Sequence, residues 1–240
     1  ARAQGQAGGA GRQAPPAPRR AAPGEETEKE TAQKNGAAAA QGKGLRAEAV
    51  TFDYPCGTRI LECFDLAVAP GERVGVYAPS GRGKTTLCKL LASYEKPKQG
   101  RILVDGVPLE QCRGYCPVQL VWQHPEQVVD PRLPLGRTLA EAGAPEERLM
   151  NALGIQPDWL ARYPAELSGG ELQRFCIARA LAPGTRYLLA DEVSAMLDLS
   201  TQAQLWSFLV EECARRGIGL VAVSHAKPLL DRVCTRQITL

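Results

Sequence analysis

The residues best suited to chemistry begin with Ser80-Gly81-Arg82-Gly83-Lys84-Thr85-Thr86, a run that can cradle phosphate. Gly81 and Gly83 permit the turns that aim backbone N–H groups at phosphate oxygens. A helix starting near Lys84 adds the positive end of its dipole. The Lys84 ammonium can reach terminal phosphates, and the Thr85 hydroxyl can hold Mg²⁺. The usual pattern is G-x-x-x-x-G-K-[ST], and here Ala78 stands at the first glycine. Alanine fits there if the position keeps a negative φ. A chance glycine-rich turn is the alternative, and an apolar strand before the run with a helix after it argues against that.

A second cluster follows the apolar stretch Tyr187-Leu188-Leu189-Ala190, which ends in Asp191 and Glu192. Asp191 at a strand end can bind Mg²⁺ through water, and Glu192 can polarise an attacking water as general base. A solvated strand end is the bland reading; the phosphate-binding run tips the balance toward chemistry. Gln123 follows Leu120-Val121-Trp122 and either reaches Mg²⁺ or the lytic water or is a surface amide. His225 ends Val221-Ala222-Val223-Ser224 and either contacts a γ-phosphate or is structural. The other histidine, His124, has no evident partner and receives no role. Tyr54 either stacks on adenine or packs in the core. Leu167-Ser168-Gly169-Gly170-Glu171-Leu172-Gln173-Arg174, taken alone, reads as the start of a helix opened by glycine.

These residues need a scaffold, and from Val50 onward strand and helix patterns alternate, which predicts an α/β fold with a largely parallel core sheet. Strands are expected at Val74–Tyr77, Leu120–Trp122, Tyr187–Ala190 and Ile218–Val223, each short and apolar enough to be covered on both faces. A helix is expected from Lys84 to Leu91. Another lies between Pro183-Gly184 and a turn at Gly217, with Leu205, Phe208, Leu209 and Cys213 on one face. From Asp130 to Glu166 the rhythm breaks, with several prolines and helix-prone pieces at Leu139–Ala142 and Pro145–Leu153. This stretch reads as a small helical insertion, roughly 127–170. No internal repeat is evident.

Residues 1–45 differ, being rich in Ala, Gly, Pro, Gln and charge, with Leu45 their one large aliphatic residue. Such a segment cannot bury enough surface to offset its chain entropy and is expected to be disordered. Acids at Glu25, Glu26, Glu28 and Glu30 interrupt its basic residues, which weakens any reading as a basic arm. The chain has 240 residues, 44% hydrophobic and 23% charged, and this suits a globular protein with one large domain or two small ones. A net charge of +3 is too small to argue for a nucleic-acid partner, and none is expected. No apolar run approaches the roughly 18 residues that a spanning helix needs, so a membrane role would come from docking on another protein. No signal-peptide core is visible, and the first residue is Ala rather than Met, so a trimmed or incomplete start is expected. Eight scattered cysteines, with only Cys112 and Cys116 close together, read as reduced core residues rather than a disulfide scaffold or metal site.

The ordered set of motifs resembles the ATP-binding subunits of ABC transporters over about residues 46–240. The resemblance implies a P-loop NTPase core with a mainly parallel sheet, an antiparallel β subdomain and an inserted helical subdomain. It makes Ala78–Thr85 the Walker A loop, Tyr187–Asp191 Walker B, Glu192 the catalytic glutamate, Gln123 the glutamine loop and His225 the switch histidine. It makes Leu167, Ser168, Gly169, Gly170 and Glu171 the signature that contacts ATP on another subunit. It also makes Tyr54 the adenine-stacking aromatic and Asp198 the acid of the D-loop. Ala195-Met196-Leu197-Asp198 stands where that loop usually reads Ser-Ala-Leu-Asp, with the serine displaced to Ser194.

A finer resemblance is to the dipeptide, oligopeptide and nickel importer branch. It rests on Gln123-His124-Pro125, Asp130-Pro131-Arg132, Tyr163-Pro164-Ala165-Glu166-Leu167 and Arg174-Phe175-Cys176-Ile177-Ala178-Arg179-Ala180-Leu181. His124 and Asp130 depart from that branch's usual residues. The chain stops at Leu240 without the extension that often follows there, so a short or truncated member is expected. The resemblance implies ATP and Mg²⁺, a second ATP-binding subunit, identical or different, and transmembrane permease subunits. An external solute-binding protein would act indirectly. It implies a peripheral position on the cytoplasmic face of the inner or plasma membrane. Two other readings stay open. One is a soluble ABC ATPase acting on nucleic acid or ribosomes, which generally carries two cassettes or long coiled-coil insertions. The other is an accessory subunit of a soluble complex, as in phosphonate degradation.

Overall fold

The computed structural model describes residues 43–240 apart from Cys56, Thr58, Ala144, Pro145 and Met196. The segment expected to be disordered lies, up to residue 42, outside the described residues. Its last residue, Leu45, already belongs to a strand and is fully buried.

Two sheets organise the chain. The first is antiparallel, built from β1 (Leu45–Asp53), β2 (Arg59–Val68), β4 (Gln99–Val104) and β5 (Val107–Pro108) in the order β2-β1-β4-β5. The second holds β3 (Arg73–Tyr77), β6 (Val118–Val121), β7 (Tyr187–Asp191), β8 (Gly219–Ser224) and β9 (Arg236–Thr239) in the order β6-β7-β8-β3-β9. Every pairing in it is parallel. Each residue of β7 and β8 is buried, as expected of central strands covered on both faces. Trp122, expected at a strand end, lies just past β6, and the strand expected from Ile218 begins one residue later.

Helix α1 (Lys84–Leu91) follows β3 directly. Between β6 and β7 the described residues form only helices and 3-10 turns, among them α2 (Leu135–Ala140), α3 (Glu147–Ala152) and α4 (Gly169–Ala180). Helix α2 starts earlier than the expected Leu139, with Pro134 as its N-cap and the Leu135 N–H, one of the first-turn donors without a partner in the helix, taken by the Arg162 carbonyl. The Pro145 start expected for the next helix lies outside the described residues. Helix α5 (Leu199–Arg216) buries Leu205, Trp206, Leu209, Glu212 and Cys213. Gly217 ends it at φ 66°, the left-handed turn that favours glycine. Helix α6 (Lys227–Val233) leads to β9. No described helix is long and apolar enough to cross a membrane.

The register of the parallel sheet is what matters for the site. Tyr77 pairs with Ser224, Asp191 with Val223, and Val121 with Ala190. The carboxyl ends of β3, β8, β7 and β6 therefore stop at one level. The Ser80–Thr86 run, His225, Asp191-Glu192 and Gln123 leave the sheet side by side, at the edge where open α/β sheets bind ligands.

Candidate nucleotide site

A cleft of about 430 Å³ opens at that edge. It is lined by Tyr54, Ile60, Ser80, Gly81, Gly83, Lys84, Thr85, Thr86, Gln123 and Glu192. The backbone run from β3 to α1 is shaped by its glycines. Gly83 caps α1 at φ 89°, and a side chain there would also drive its Cβ to 2.4 Å from Ile60 Cγ2. Ala78 is fully buried and takes no positive φ, so the substitution of the usual first glycine is accommodated. Arg82 is exposed and does not line the cleft.

Lys84 is a buried cation with all three of its donors engaged. Its Nζ lies 3.0 Å from the Ala78 carbonyl, 3.2 Å from the Pro79 carbonyl and 3.2 Å from Glu192 Oε1. The same Glu192 oxygen is 3.1 Å from His225 Nδ1. Burial works to raise the Glu192 pKa, but hydrogen bonds from His225 and Lys84 outweigh it and hold the carboxyl below its ordinary range. Glu192 also sits at φ 48°, a conformation uncommon for a residue with a side chain and one that clusters at functional sites. Its N–H bonds the Val223 carbonyl, which fixes the turn against β8.

Asp191 behaves in the opposite sense. Burial raises its pKa, and the neighbouring Glu192 charge adds to this, against the hydrogen bond from Thr85. Thr85 Oγ1 donates to Asp191 Oδ2 at 2.7 Å, whereas Asp191 Oδ1 is buried with no hydrogen-bond partner. A buried, orphaned carboxylate oxygen beside a hydroxyl is the oxygen-donor chemistry that suits Mg²⁺. Tyr54 reaches the cleft from the end of β1. Its hydroxyl is 3.2 Å from Thr86 Oγ1, and its ring meets Phe52 edge-on with centroids 5.0 Å apart. It is thus partly a packing residue and partly a wall of the cleft.

The serine-glycine segment lies elsewhere. None of Leu167, Ser168, Gly169, Gly170 and Glu171 lines the cleft. Ser168 is the N-cap of α4, and Ser168 with Glu171 forms a capping box. The Glu171 carboxylate accepts from both the N–H and the hydroxyl of Ser168 at 2.8 Å, and the Glu171 N–H returns a bond to Ser168 Oγ at 3.3 Å. These bonds from Ser168 lower the Glu171 pKa. Spacing alone could have revealed this, since S-x-x-E before a helical run is a capping signature. Asp198 likewise caps its own helix, α5, accepting from the Ser200 and Thr201 N–H groups at 3.0 Å each. Ser194 is buried, and its hydroxyl accepts from Gln202 Nε2 at 2.7 Å and Trp206 Nε1 at 3.0 Å. His124 does have a neighbour, Glu126 at 3.3 Å. The seven described cysteines are free, with Cys88, Cys176 and Cys213 buried and Cys63 exposed.

Residues 61–195 match the ABC transporter family model. The chain is 36% identical over 223 residues to the nickel import ATP-binding protein NikE of Rhodospirillum rubrum, covering 85% of this chain and 79% of that protein. It is 32% identical over 220 residues to a probable peptide ABC transporter ATP-binding protein of Sinorhizobium fredii, covering 79% of this chain and 62% of that one. Among solved structures, an ATP-binding subunit of an ABC transporter aligns with TM-score 0.73 at 23% identity, covering 82% of this chain and 86% of its own. A dimeric ATP-binding cassette in a post-hydrolysis state with ADP and Pi aligns with TM-score 0.72 at 24% identity, covering 82% of this chain and 94% of its own. These structural likenesses establish the fold.

Proposed function

Because this chain belongs to the ABC transporter family, we propose that it is the ATP-binding subunit of an importer. It hydrolyses ATP at a dimer interface to drive a peptide, nickel or a related small solute through a partner permease. It works as a peripheral subunit on the cytoplasmic face of the membrane. The observation that carries the site is the convergence of Lys84, Glu192, His225 and the Thr85–Asp191 pair at three parallel strand ends. The names of the relatives support the import reading and its solute class.

In this reading the triphosphate lies along Ser80–Thr86, with Tyr54 against the base. Thr85, Asp191 and Gln123 would hold Mg²⁺, which supplies charge neutralisation to the transferring phosphoryl group when bound. The Lys84 ammonium moves its donors from loop carbonyls and Glu192 to phosphate oxygens. Glu192 takes the proton of the attacking water as the water oxygen bonds to the γ-phosphorus and ADP leaves. His225 orients Glu192 through the Oε1 contact and faces the γ-phosphate.

Lys84 and Ser168 do not share a cleft within one chain, and this supports a pocket completed by a second subunit. Leu167, Ser168, Gly169, Gly170 and Glu171 of that subunit close over the triphosphate, with Glu171 fixing the serine hydroxyl. Two nucleotides then join two subunits head to tail, with Asp198 close to the seam. ATP favours the closed dimer over the open one, and hydrolysis reverses that preference. The helical segment, roughly 127–170, moves with Gln123 and transmits closure to the permease. Purification of the tagged chain from detergent-solubilised membranes tests the role. Recovery with an integral membrane permease is expected, and recovery only within a soluble enzyme complex would overturn import.

A further inference from the structure

Gln173 carries the one amide among the buried side chains of α4 and is 4% exposed. Its Nε2 donates to the Trp122 carbonyl at 3.0 Å, and that carbonyl can only accept, so the amide orientation is set. Trp122 lies one residue past β6, where the strand no longer holds the chain, and directly precedes Gln123 of the phosphate cleft. The other end of the amide, Gln173 Oε1, is buried without a hydrogen-bond partner. Gln173 and Gln123 together line a second, narrow cavity of about 10 Å³, whose wall includes Gly169, Gly170 and Leu197. Gln123 thus borders both cavities, one facing the phosphate-binding run and one facing the first turn of α4.

We propose that Gln173 is a positioning residue that passes the placement of Gln123 to the first turn of α4. It thereby links the cleft of one chain to the Ser168 corner that the chain offers its partner; the inference rests on the site reading above. A shift of Gln123 toward bound phosphate draws on Trp122 and, through one hydrogen bond, on Gln173. The helix is stiff, so Ser168 at its cap moves with Gln173. The two nucleotide sites of a dimer then depend on each other.

The test uses the full chain with Gln173→Met, which keeps the side-chain length and removes the amide. ATP binding under non-hydrolysing conditions should change by less than about twofold. In contrast, kcat should fall about tenfold or more, and the Hill coefficient for ATP should drop toward 1. A variant with wild-type kcat and Hill coefficient would overturn the proposal, as would one that no longer binds ATP. Hydrogen exchange on the wild-type chain, below the concentration at which it dimerises, gives a check independent of the variant's folding. ATP should slow exchange in residues 121–124 and 169–173 with a common midpoint, and a response confined to the first segment would overturn the link. A wild-type chain that neither binds nor hydrolyses ATP would instead remove the site reading and this proposal together.

Discussion

Glu192 Oε1 lies 3.2 Å from Lys84 Nζ, with both side chains largely buried. The pairing neutralises two charges that a low-dielectric site would otherwise hold at considerable cost. Under the proposed function it would also give the site a built-in order of events. A carboxylate engaged by an ammonium is ionised but is a weakened base. In the proposed site a triphosphate would compete for the ammonium, and substrate binding would itself release the carboxylate to accept a proton.

Glu192→Gln keeps the shape of the side chain and removes its basicity. Turnover should fall at least about a hundredfold, and an ATP-bound dimer should accumulate, visible by size-exclusion chromatography with light scattering. Robust multiple-turnover hydrolysis by this variant would remove Glu192 as the base.

Lys84→Ala should abolish ATP hydrolysis, because no other described cation lines the cleft. It also strips Glu192 of one bond that holds its pKa down. Steady-state phosphate release checks this, and unchanged turnover would contradict the assignment of the phosphate-binding run.

Asp191→Asn should separate activity from stability. The folded state raises the Asp191 pKa, chiefly by burial, so its charged form is disfavoured there. Replacing it with a neutral amide should leave the melting temperature unchanged or a few degrees higher, while the Mg²⁺-dependent gain in ATP affinity disappears. A lowered melting temperature with intact Mg²⁺ dependence would count against the proposed metal role.

Ser168→Ala and Glu171→Ala test the capping box. Each should cost about 1 kcal/mol in unfolding free energy through loss of the α4 cap. Ser168→Ala should in addition weaken the ATP-induced dimer, because in the proposed assembly the hydroxyl would meet the partner's nucleotide. Equal stability to wild type in denaturant titrations would show that the box contributes nothing.

Glu212 gives a pH test away from the cleft. It is buried in α5 and accepts from Arg215 and from Arg148 of α3, so it ties the helical segment to the core. Burial would raise its pKa, but the bonds from Arg215 and Arg148 outweigh burial and lower it. A carboxyl with a lowered folded-state pKa stabilises the fold above its unfolded pKa, and this contribution is lost as pH falls through the folded value. Glu212→Gln should therefore lose about 1–3 kcal/mol at neutral pH. Its deficit against wild type should close below the usual carboxylate range. Urea unfolding at neutral and acidic pH measures both, and a deficit of the same size at both would refute the ion-pair account.

Much of the site is legible before any coordinates. Gly83, Lys84 and Thr85 mark a tight turn into a helix, the shape a phosphate-binding loop requires, because that shape depends on local backbone geometry. Asp191 and Glu192 declare themselves because a buried strand ending in two acids is chemically unusual. The Gly217 helix stop is likewise a local property. Other features escape such a reading. The expected apolar face of Leu205, Phe208, Leu209 and Cys213 leaves out Trp206 and Glu212, both buried on α5; Glu212 stands seven residues from Leu205, on that same face, and its charge gives no sign of burial. Ile60 lies under Gly83 from a strand in the other sheet, and only packing reveals why a side chain at Gly83 would collide.

Residue type and spacing along the chain were enough to single out the glycine-rich turn before α1, the acidic strand end and the α/β scaffold, because each depends on neighbours within a turn or a strand. The pairing of Glu192 with both Lys84 and His225 and the hold of Gln173 on Trp122 emerged only from three-dimensional packing. Those relationships join segments far apart in sequence. They are set by which strands lie side by side and at what register, a choice made by burial of the whole core and not by any local pattern.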